Sequence, residues 1–64
     1  MTMTEDQIVL GAAIMLIRRH GHHAPVHVAE RIGELAAEGD GMGVAVWKAI
    51  AVYMDDILRA GPIQ

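Results

Sequence analysis

The chain contains no cysteine, no serine and no phenylalanine, and its only large aromatics are Trp47 and Tyr53. Without cysteine there is no disulfide to staple the fold and no thiolate-based zinc site. The absence fits a reducing compartment. Without serine or cysteine the usual nucleophiles are missing. The remaining alcohols besides Tyr53 are Thr2 and Thr4, both at the N-terminus. Asp55 and Asp56 are adjacent, so on a helix they point about 100° apart and cannot act together on one substrate. The sequence therefore argues against an enzyme, and no catalytic residue or cofactor is expected.

Positive charge is equally sparse. Arg18, Arg19, Arg31, Lys48 and Arg59 are the only basic side chains, and the formal net charge is −3. Gripping a phosphate backbone needs clustered Lys and Arg, so direct nucleic-acid binding is not expected. Long apolar runs are also lacking. The stretch Ile8 to Ile17 is far shorter than the ~20 residues of a membrane span. Glu5 and Asp6 precede it where an export signal would carry Lys or Arg. The expected location is cytoplasmic, with no membrane partner.

What the chain does have is aliphatic bulk, with 53% apolar residues in a length of 64. A domain this short hides only about 60% of its unfolded surface, which leaves it marginal unless something else covers it. With disulfides excluded, self-association is the natural support.

Local signals divide the chain into three helices, at about 5–20, 25–38 and 42–60. Thr4 with Gln7 three residues later forms a capping box, and Glu5 and Asp6 suit the positive end of the helix dipole. Arg18, Arg19 and His20 close that helix, with Gly21 expected in the left-handed C′ position. Pro25 suits a helical first turn, and Gly39 is the next stop. Asp40 caps the third helix, which Gly61-Pro62 ends. The fold class is thus all-α: a three-helix bundle, or a helical hairpin plus an N-terminal helix, completed by dimerisation.

Periodicity distinguishes the helices. The second sets Val26, Val28, Ala29, Ile32, Leu35 and Ala36 against His27, Glu30, Arg31, Glu34 and Glu38. The third sets Val46, Trp47, Ile50, Tyr53, Met54, Ile57 and Leu58 against Lys48, Asp55 and Arg59, with Val52 stranded among the charges. The first is apolar nearly all round, broken only at Gly11 and Arg18. Two neighbours from one short chain cannot enclose such a helix, whereas a second copy can. The expected dimer interface is Ile8, Leu10, Ile14, Met15, Ile17 and Val52.

Two clusters invite functional readings. Glu30, Glu34 and Glu38 form an i, i+4 acidic ladder that can dock a basic partner or serve as a solvated face. His20, His22, His23 and His27 crowd one connection. Imidazole clusters bind divalent metals, but Pro25 interrupts the spacing and no metal site is assigned. A pH-sensitive turn is the other reading of the same residues.

The segment from Arg19 to Ile50 carries His20-Gly21, Ala24-Pro25, Ala29-Glu30-Arg31-Ile32, Leu35, Gly39-Asp40, Gly43, Trp47 and Ile50. In this pattern it resembles a family of short bacterial proteins to which no activity is attached. The resemblance covers about half the chain and implies no functional residues. The leading expectation is a non-enzymatic protein–protein interaction module, a homodimeric regulator or adaptor. The alternatives are an acidic inhibitor from a phage or mobile element that blocks a basic nucleic-acid-binding surface, and a histidine-cluster metal binder.

Overall fold

The computed structural model describes residues 2–60, and every regular element among them is helical. The caps read from sequence translate directly into hydrogen bonds at the first helix, α1, Glu5–His20. The Thr4 amide donates to Gln7 Oε1 at 2.8 Å, and the Gln7 amide donates to Thr4 Oγ1 at 3.1 Å. Gly61-Pro62, expected to end the last helix, lies outside the described residues.

Gly21 departs from the expected left-handed cap. Its φ is +57°, but its ψ of −130° lies outside the left-handed helical region. The chain re-enters helical geometry at once, through a 3-10 turn over Gly21–His23. The second helix, α2, Ala24–Ala37, follows without an extended link and places Pro25 in its first turn, where a missing N–H costs nothing.

The end of α2 is a Schellman motif. The Asp40 amide donates to the Leu35 carbonyl at 2.9 Å and the Gly39 amide to the Ala36 carbonyl at 3.1 Å. Gly39 has φ +77°, a conformation that a side chain would strain. Asp40 then turns to its other neighbour. Its Oδ1 accepts the Gly43 amide at 2.9 Å, at the start of the third helix, α3, Gly41–Ala60. A β-carbon on Gly43 would stand 2.5 Å from the Asp40 carboxylate, so the glycine makes room for the cap.

Helix α3 packs on both other helices, while α1 and α2 touch each other little. The core is correspondingly small. Val9 and Ala13 of α1, Ala24 and Val28 of α2, and Ile50 and Met54 of α3 are its buried members. Leu16, Ile17, Ile32, Trp47, Tyr53 and Ile57 pack against it, half-buried. The result is a thin slab of 42 × 33 × 17 Å, two helix layers deep. Its Cα radius of gyration is 12.2 Å, against about 10.7 Å for a compact chain of this length. No described helix is long and apolar enough to cross a membrane.

Candidate functional site

Helix α1 lends α3 only one side. Val9 and Ala13, four apart, are buried, and Ala12, Leu16 and Ile17 lean on the core beside them. The opposite side carries Ile8, Leu10, Ile14 and Met15, all exposed, with Ile8 57% and Met15 62% accessible. Gly11 sits in the middle of this strip. A β-carbon there would find nothing within 4 Å. At helical spacing Ile8 and Met15 run along one flank of Gly11, and Leu10 and Ile14 along the other. The strip is therefore a shallow saddle: four aliphatic or thioether side chains around a point where the backbone is bare.

The six residues expected at an interface do not form one surface. Ile17 faces inward, against the core. Val52 is 61% exposed, but it lies two residues from both Ile50 and Met54, which are buried. Two residues along a helix is about 200° of rotation. Val52 therefore points away from the side of α3 that holds α1. Lys48 and Arg59 share that outer side with Asp55 and Asp56, which Arg59 bridges at 3.0 and 3.2 Å.

A second apolar feature was not apparent from periodicity. Part of the apolar side of α2 is uncovered, and a groove of about 270 Å³ runs between α2 and α3. Pro25, Ala29 and Ile32 line one wall, Ala51, Asp55 and Leu58 the other, with Val28 and Met54 at its base. It arises because α3 must cover α1 as well and cannot centre itself on α2.

The acidic ladder is solvent-facing throughout. Glu30, Glu34 and Glu38 are exposed, and Glu34 pairs with Arg31 at 3.0 Å. Exposed pairs of this kind contribute about 0–1 kcal/mol. The four histidines do not converge on a common point. Among the described residues no group of three or more His, Asp or Glu is arranged to hold a metal ion. Instead His20 and His27 stack across the 3-10 turn, ring centres 4.3 Å apart and planes 18° from parallel. His27 also meets Trp47 of α3 edge-on at 6.2 Å. Periodicity does not announce this contact, because His20 and His27 are brought together by the turn rather than by helical spacing.

Two ionisations respond to these surroundings. His20 is held below its ordinary value by desolvation first, then by the positive charge of His27, Arg19 and His23. Tyr53 is raised, by desolvation first and then by the neighbouring Asp6 carboxylate. The latter marks where the N-terminal end of α1 approaches α3.

The chain is thus an all-helical protein with a small core and an uncovered apolar face on its first helix. It belongs to a family of unknown function (DUF6961), whose family model matches residues 5–60. That span includes the whole Arg19 to Ile50 segment. No curated protein and no solved structure matches the chain.

Proposed function

We propose that this protein is a non-enzymatic interaction module that works as a homodimer, with the α1 strip as its contact surface. The observation that carries the reading is the exposure of Ile8, Leu10, Ile14 and Met15 around a bare Gly11. Contiguous apolar patches on soluble chains mark interaction sites. A two-fold axis through Gly11 would cross two α1 helices at their point of closest backbone approach. Each strip would then meet its own copy, as an isologous interface requires.

The surface area supports a second copy as the occupant. The chain exposes 4920 Å², several hundred Å² more than the ~4,000 Å² of a compact monomer of its mass. One side of a standard protein–protein interface covers about 800 Å². The dimer completes a bundle that one chain leaves open. It leaves the exposed Glu30, Glu34 and Glu38 face of α2 free for a further, basic partner, which is the form a regulator or adaptor would take.

Gly11→Leu separates this reading from a merely structural role for α1. Inside one chain the new β-carbon meets nothing within 4 Å, and leaving glycine favours helix by about 1 kcal/mol. The variant should keep its helicity and elute as a monomer in size-exclusion chromatography with light scattering. A Gly11→Leu chain that still dimerises would remove the α1 crossing. A monomer in both forms that instead cosediments with anionic vesicles would assign the strip to a lipid surface.

A further inference from the structure

We propose that His20, His27 and Trp47 form a proton-operated latch, closed at neutral pH and loosened in mildly acidic solution, that ties the end of α1 to α2 and α3. The three side chains come from three different helices and touch in sequence: His20 stacks on His27, and His27 meets Trp47. Helices α1 and α2 share few contacts in all. The stack therefore bridges the two helices where the 3-10 turn joins them.

Neutral imidazoles stack as aromatic rings do. Protonating both would set two positive charges at a 4.3 Å ring separation. The surroundings offer His20 no relief. Arg19 on α1 and His23 on the 3-10 turn add positive charge, as does His27 once protonated. On α2, Glu30 and Arg31 lie one turn beyond His27, and Arg31 is engaged with Glu34. From α3 the facing group is the uncharged Trp47, with Lys48 next in sequence. A proton on His20 meets this positive surrounding and breaks the stack.

The sign of the pH dependence follows. A histidine depressed in the folded state binds its proton more readily when unfolded. Its contribution is fully present above the ordinary value of 6.5 and is lost as pH falls through the lower folded-state value. The latch lies within one chain and stands whether or not α1 pairs with a second copy.

The test is a proton NMR titration of the imidazole Hε1 resonances, run beside melting curves from about pH 7.5 to about pH 5.5. His20 should titrate below 6.5, and the melting temperature should fall over the same range. His27→Phe keeps a flat ring in the stack but takes no proton. In that variant the His20 midpoint should rise toward 6.5 and the acid loss of melting temperature should shrink. His22→Phe, outside the stack, should leave the profile as in the parent chain. A parent chain whose His20 titrates at or above 6.5 would overturn the latch, and this holds even if His27→Phe fails to fold. So would a His27→Phe chain with the parent's acid profile.

Discussion

Met54 shows how little margin a single residue has in this chain. It is 1% exposed and is the largest fully buried side chain among the described residues. Truncating a buried methionine to alanine costs about 2–5 kcal/mol. A core of this size supplies no more than about 3–5 kcal/mol of net stability. Met54→Ala is therefore expected to be largely unfolded at physiological temperature, seen as lost ellipticity at 222 nm. Met54 and Ile50 were both legible as apolar positions on the third helix. Leu58 shares their side in that pattern, yet it is exposed on a groove wall. Periodicity gives a direction around the helix axis. How far a neighbour extends along the axis to cover that direction is a tertiary property.

At the scale of elements, the ends were more legible than the faces. Thr4, Gln7, Gly39 and Asp40 act through hydrogen bonds to residues within five positions of themselves. Chemistry that local can be read from sequence. Asp40→Ala should cost about 1 kcal/mol through loss of the α3 cap, measured as a lowered urea midpoint with unchanged slope. The Gly21–His23 turn was harder to read, since Pro25 is compatible with several entries into α2 and the histidines impose none. The His20–His27 stack depends on that turn and was invisible for the same reason. The buried side of α1 was also illegible. A helix apolar all round has no moment to orient it, and Val9 and Ala13 became the inner side only because α3 packs there.

The whole molecule is a thin slab whose central helix serves two neighbours. That division of α3 explains both uncovered features: the outer strip of α1 and the groove beside α2. An excess of apolar surface was readable from composition and length, and α1 was readable as its main source. Its limits were not. Ile17 belongs to the core, and Val52 faces away from the α1 side of α3. The dimer contact we propose is accordingly narrower than the one expected from sequence, and centred on Gly11. The most direct measurement is sedimentation equilibrium of the intact chain across a dilution series from high to low micromolar. A mass near twice that of the chain at high concentration, falling toward that of one chain on dilution, is the expected result. A chain that stays monomeric and fully helical throughout would contradict self-association through α1.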